Sequence, residues 1–373
     1  MIKTHKIALS VNNAQATLLS RHCGFARVAY NYAQQLMCQH LDETGKILRL
    51  AELKRAFNKV KYDEYEWCKA LSQNAGNNAI HDLDAGIDKW LNPELPNRKP
   101  KKRKRSHGQS YRADNGPDTV IVDGKRVKLP KIGWLKMREL LRFDGSIRTA
   151  TIVKEAGRWF VCLSVKVAAS LPPKRKIGRV IGIDVGIKTL AVTSEGEFIE
   201  NPQALATHRK KLRKVDKAIA RSRNVHGKNK RSKRRDKKYL QRQKLHARIR
   251  NIRDDLQHKS TSAIVNAKHV REVVVETLQI KGMLKNRKLS RAIADASMSK
   301  FIDKLKYKCE WSGIDFKRAD TFFPSTKTCS SCGNKKAHIG LDIRTYTCYT
   351  CGLVMDRDLN AAINLSQYQT RLA

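Results

Sequence analysis

Four cysteines and the acids behind them carry the densest chemistry in the sequence. Cys329-Ser-Ser-Cys332 and Cys348-Tyr-Thr-Cys351 are two CxxC pairs fifteen residues apart. That spacing can close four thiolates around one tetrahedral zinc ion. Each pair is followed by a glycine, Gly333 and Gly352, which lets the backbone turn tightly and aim its amides at the sulfurs. The alternative is four reduced, buried cysteines; with sulfur in all four positions a zinc ion would be structural and would leave no place for a substrate. The reaction chemistry must come from the run Asp356-Arg-Asp358-Leu-Asn360-Ala-Ala-Ile-Asn364, where a helix is expected to begin at Asp358.

Two more carboxylates stand in comparable settings. Asp184 sits in the apolar run Val180-Ile-Gly-Ile-Asp184-Val-Gly186, and Glu276 follows Glu272-Val-Val-Val. An Asp184/Glu276/Asp358 cluster can hold two Mg²⁺ ions about 4 Å apart, one to activate water and one to stabilise the leaving oxygen of a phosphodiester. Hard oxygen ligands suit that cation and leave room for water and phosphate. Taken singly, each acid could be an ordinary surface residue, and Asp358 could cap its helix; taken together, in this order, they favour a metal site.

The elements that must position these residues follow in order. Lys6–Val11 reads as a strand. Helical periodicity follows over about 14–40, 51–60 and 72–90. Asn97–Ser106, with Lys101, Lys102 and Arg103, lacks apolar periodicity and reads as an exposed basic arm suited to phosphate. Short strand-like runs (119–122, 126–129, 148–153, 159–167), separated by Asp123-Gly124 and Ala156-Gly157 turns, suggest a small antiparallel barrel or sheet, completed by the N-terminal strand. Pro172–Lys176 reads as a linker. Beyond it, strands at 180–186 and 189–193 and a Glu195-Gly196 turn read as the opening of an RNase H-like sheet with an inward Asp, a pattern that sugar kinases and actin-like ATPases share. Arg209–Arg250 holds twenty Lys or Arg against two Asp, helical in pattern with a break near Asn224–Gly227. Lys230, Arg231, Lys233, Arg234 and Arg235 fall in this expected basic hairpin. An amphipathic helix (252–266), a buried strand ending at Glu276, a helix over 294–312 and a last strand at 315–319 complete the expectation.

Lys and Arg number 77 against 34 Asp and Glu, a net charge of +43. That excess exceeds the needs of solubility and implies a polyanion, a nucleic acid first of all. The odd count of nine cysteines points to a reducing compartment, and no apolar run reaches membrane-spanning length. A cytoplasmic, nucleoid-associated protein with no membrane partner is expected.

Nearly the whole chain, most specifically its second half, resembles the TnpB family of insertion sequences, also known as OrfB-type transposases and similar to the nuclease half of compact type V CRISPR effectors. The matching text is Ile181–Lys188, Val275-Glu276-Thr-Leu278, Phe323–Gly333, Tyr346–Gly352 and Asp356–Ala362, with weaker matches at Val127–Gly133 and Tyr30-Asn31. The resemblance implies an α/β chain whose RNase H-like RuvC nuclease domain spans 173–320 and 353–373. It also implies a wedge-type β-barrel over 1–12 and 115–172, a helical recognition lobe inserted at 13–114, and a zinc ribbon over 321–352. It further implies an RNA-guided endonuclease that reads a short duplex motif beside its target. Its partners would be a guide RNA from the element's own end and double-stranded DNA; both monomer and dimer fit. The family motif makes the Asp just before x-Asn-Ala-Ala the ligand, which places the triad on Asp184, Glu276 and Asp358 rather than Asp356. Two alternatives carry different requirements: a nuclease-inactive RNA-guided DNA-binding repressor needs a broken triad, and a guide-free transposase has no recognisable Tyr or Ser nucleophile here.

Overall fold

The computed structural model describes residues 1–105, 108–114, 119–168, 171–227, 232–340 and 342–368. Lys230 and Arg231, expected at the basic hairpin, lie outside the described residues. The chain divides into two compact units, Met1–Ala169 and Ser170–Ala373.

The first unit holds β1 (Ile2–Ser10), α1 (Asn13–Thr44), α2 (Leu50–Glu64), α3 (Gln73–Leu91), β2 (Gln109–Asp114), β3 (Ile121–Asp123), β4 (Arg126–Leu129), β5 (Gly133–Met137), β6 (Ser146–Glu155) and β7 (Arg158–Lys166). Asn12 starts α1 with a capping box: its side chain accepts from the Gln15 amide, and Gln15 reaches back to the Asn12 amide. Leu19, Cys23, Phe25, Ala26, Ala29, Ala33 and Met37 recur on the buried face of α1, as its periodicity requires. The strands form one antiparallel sheet in the order β2-β6-β7-β1-β5-β4-β3. β7 shows the alternation of a half-buried strand, with Trp159, Val161, Leu163 and Val165 buried. β1 joins the sheet between β7 and β5, as expected of the N-terminal strand. β2 pairs with β6, so strand structure begins ahead of the 119–122 run.

The second unit holds β8 (Arg179–Val185), β9 (Thr189–Thr193), β10 (Phe198–Glu200), α4 (Ala204–His226), α5 (Lys233–Asn266), β11 (Val270–Val275), α6 (Ile280–Met283), α7 (Ser290–Ala296), α8 (Met298–Trp311), β12 (Asp315–Arg318), β13 (Thr345–Thr347), β14 (Val354–Asp356) and α9 (Arg357–Ser366). Its main sheet runs β10-β9-β8-β11-β12. The first three strands are antiparallel neighbours, whereas β11 lies parallel to both β8 and β12. Strands β8 and β11 are buried and rich in Val and Ile, as parallel neighbours covered by helices are. The basic stretch after β10 forms two helices, α4 and α5, and α5 continues through the expected 252–266 segment without a break. The helix expected over 294–312 is instead two. Ser297 adopts a left-handed backbone with φ 54°, and buried Gln257 donates to the Ala296 and Ser297 carbonyls at the break. β13 and β14 form a separate hairpin. Among the described residues no helix is long and apolar enough to cross a membrane.

Candidate active site and metal centre

The parallel pairing of β8 and β11 sets Ile183 beside Val275. The next residues, Asp184 still within β8 and Glu276 just past β11, therefore stand side by side at the same end of the sheet. The third carboxylate arrives on α9, which lies against β8. That approach needs Gly182, since a Cβ there would run into the Ala362 carbonyl and the Ser366 amide of α9. All three acids are partly buried. Burial pushes the Asp184 carboxyl well above the carboxylate range, helped by the negative charges of Glu276, Asp358 and, least, Asp356 and opposed by Arg357. Burial and the Asp358 charge raise Glu276 to about 7. Three carboxylates that feel one another's charge offer hard oxygen donors, the donor chemistry of a divalent-cation site; among the described residues only the cysteine sulfurs are gathered within 4.8 Å.

Asp356 takes the other role. It is the N-cap of α9, its Oδ1 accepting from the Asp358 amide at 2.8 Å and the Leu359 amide at 3.0 Å. This leaves Asp358 in the first turn with its carboxylate facing the cluster's other charges. Arg357 donates to Asp358 Oδ1 from Nε at 3.1 Å and Nη2 at 3.0 Å, and Arg344 Nη1 lies 3.6 Å from Oδ2. Nothing in the sequence singles out Arg344 and Arg357, because spacing does not tell which of so many arginines will meet an acid.

The four cysteine sulfurs lie within 4.8 Å of one another. Cys329 and Cys351 are 3.7 Å apart and Cys332 and Cys348 3.6 Å. A tetrahedron with metal–sulfur bonds of about 2.3 Å has edges of about 3.8 Å, so the quartet fits zinc as it stands. Gly333 and Gly352 both take left-handed φ, 76° and 74°. The Asn334 amide bonds the Cys332 sulfur, and the Thr350 and Cys351 amides bond that of Cys348. Asn360 and Asn364 of α9 bond the chain around the first pair.

The expected nucleic-acid residues divide. Lys101, Lys102, Lys233 and Arg234 are exposed. Arg103 stacks on the Tyr30 ring at 3.9 Å and meets Asp82 at 3.3 Å, so its charge is partly used within its own unit. Arg235 differs from them: it is buried, and its guanidinium donates to Ser222 Oγ, Ser222 O and Gly227 O, tying the end of α4 to α5. Between α4 and α5 lies an open groove lined by Lys211, Lys214, Arg221, Lys238 and Gln241 over Val215, Ala218 and Leu245.

Three family models match the chain. One, described as "Cas12f1-like, TNB domain", covers residues 299–365. A second, OrfB_IS605, described as "Probable transposase", covers 148–287, and a third, described as "Helix-turn-helix domain", covers 1–46. In this chain residues 1–46 form β1 and the single helix α1. A Streptomyces pristinaespiralis protein named "Putative RNA-guided DNA endonuclease" is 31% identical over 368 residues, covering 94% of this chain and 85% of that protein. A protein of Escherichia coli K12 with the same description, InsQ, is 23% identical, covering 98% of this chain and 91% of its own. The cryo-EM structure of a Cas12f1–sgRNA–target DNA complex has a TM-score of 0.37 and 16% identity, covering 98% of this chain and 99% of that one, a likeness too slight to reason from.

Proposed function

The chain belongs to the OrfB transposase family that takes in the TnpB-like proteins, and from that premise we propose that it is an RNA-guided DNA endonuclease of an insertion sequence. It cuts target DNA next to a short flanking motif at a RuvC-like site. The observation that carries this reading is the meeting of Asp184, Glu276 and Asp358 from β8, the end of β11 and α9. The sheet order, with two parallel strands beside an antiparallel three-strand meander, supports an RNase H-like domain spanning 173–320 and 353–373 around the 321–352 ribbon. In the same reading the antiparallel sheet of the first unit is the wedge and α1–α3 the recognition lobe.

Asp184, Glu276 and Asp358 would hold two Mg²⁺, which when bound make water nucleophilic and neutralise the phosphate. The chain's own part is to place three carboxylates on rigid elements and to hold Asp358 in one orientation through Arg357 and Arg344. Lys211, Lys214, Arg221 and Lys238 offer a cationic track for the guide RNA or its duplex with the target strand. Plasmid cleavage with and without co-purified RNA, followed by sequencing of that RNA, tests the proposal. Wild type should cut only with its RNA and Mg²⁺ or Mn²⁺, and Asp184→Ala should bind target and not cut. Wild type that binds without cutting would leave the repressor; cutting without RNA would leave the guide-free transposase.

A further inference from the structure

Asn360 and Asn364 sit one helical turn apart on α9, buried to 0% and 4% exposure. Asn360 Oδ1 accepts from the Ser330 amide at 2.9 Å, and its Nδ2 donates to the Thr328 carbonyl at 2.7 Å. Asn364 Nδ2 donates to the Ser325 and Thr328 carbonyls, both at 2.7 Å. Thr328 and Ser330 flank Cys329, so both side chains grip the backbone beside a zinc ligand. Asn360 is two residues from Asp358. The other limb of the ribbon reaches the same acid, since the Arg357 amide donates to the Arg344 carbonyl at 2.7 Å and the Arg344 guanidinium lies 3.6 Å from Asp358.

Merely filling space at two buried helix positions would call for Ala or Leu, which favour helix and bury no amide. Asn is a poor helix former and is costly when buried without partners. Its presence twice, with side-chain bonds to the knuckle backbone, ties the orientation of α9 to whether that knuckle is folded. Four thiols without an ion have no reason to stay gathered, and binding free energy at such a centre is folding free energy.

We propose that Asn360 and Asn364 are positioning residues through which the four-cysteine centre fixes Asp358 against Asp184 and Glu276, so that nuclease competence is conditional on zinc. The inference rests on the nuclease reading above. It makes the ribbon a gate on the active site as well as a local staple.

Mn²⁺ binding to the full chain without nucleic acid, followed by calorimetry and by its paramagnetic resonance signal, provides the test, with Asp184→Ala as the reference for a broken site. Asn360→Ala/Asn364→Ala should keep close to the wild-type zinc content yet bind Mn²⁺ at least tenfold more weakly. Its kcat for cleavage should fall while the KM for target DNA holds, because the basic helices are untouched. Wild type stripped of zinc and dialysed free of chelator should lose Mn²⁺ affinity to a similar degree, and the same treatment should add little to the double variant. Wild-type Mn²⁺ affinity in the double variant overturns the inference. So does unchanged affinity in zinc-free wild type, a result that stands even if the double variant fails to fold. Mn²⁺ bound normally by Asp184→Ala overturns the nuclease reading and this inference with it, whereas the other two results overturn this inference alone.

Discussion

Burial and neighbouring charge both work against ionised acids in the Asp184 cluster, which gives the metal-free protein a pH dependence of definite sign. Glu276 is raised in the folded state to about 7. Between the ordinary carboxylate range and that value the unfolded chain has released a proton that the folded chain keeps. Stability contributed at low pH is therefore lost as pH rises through about 7. Thermal melts in the presence of EDTA, on protein that keeps its zinc, should show a midpoint a few degrees lower at pH 8 than at pH 5. That difference should shrink in Glu276→Gln, and Asp184→Asn should melt higher than wild type at pH 8. The neighbouring pair Asp356 and Asp358 separates by role. Asp356→Ala removes a helix cap and should cost about 1 kcal/mol of stability while keeping measurable cleavage. Asp358→Ala should end cleavage; melts and single-turnover assays on both variants decide. By residue type the two acids look alike, because a cap and a ligand both want a carboxylate at a helix start. The family motif favours Asp358 as the ligand, and the amides that Asp356 accepts from make it the cap.

At the level of elements, α4 and α5 show how far a charge run can be read. Their helicity and basic character were legible from composition, but the fate of each side chain was not. Arg235 turns inward to the Ser222 and Gly227 carbonyls, while Lys211, Lys214, Arg221 and Lys238 line the open groove. Changing those four to Gln should flatten the salt dependence of RNA binding, by a slope of roughly 0.7 for each phosphate no longer neutralised. Arg235→Gln should leave the slope alone and lower the melting temperature. Filter-binding titrations at several salt concentrations measure the first, and calorimetry the second. The division of 294–312 into α7 and α8 was hidden for a related reason. It depends on Gln257 of a distant helix taking up two carbonyls, a partner no local pattern announces. β13 and β14, three residues each, are too short to show periodicity.

For the molecule as a whole, the cysteine quartet should bind about one zinc per chain, measurable by elemental analysis. Cys348→Ser should lower that content and loosen the 321–358 region, seen as faster amide hydrogen exchange there, since a structural zinc supplies folding free energy directly. The three acids were singled out by their settings at strands and a helix start and by the family motif, whereas the two CxxC pairs were legible because metal chemistry restricts both residue type and spacing. How α9 meets β8 was not, because it turns on the missing side chain of Gly182 and on the backbone of a helix far along the chain. That distance has a consequence for synthesis. A ribosome adding roughly 5–20 residues per second makes Asp184 on the order of ten seconds before Asp358. Until α9 emerges, the nascent protein carries its basic helices and two acids without the third. A message broken or a frame shifted before α9 would therefore yield, on the proposed reading, a blunt decoy. It would occupy the same RNA and leave DNA whole, competing with the intact nuclease made from the same gene.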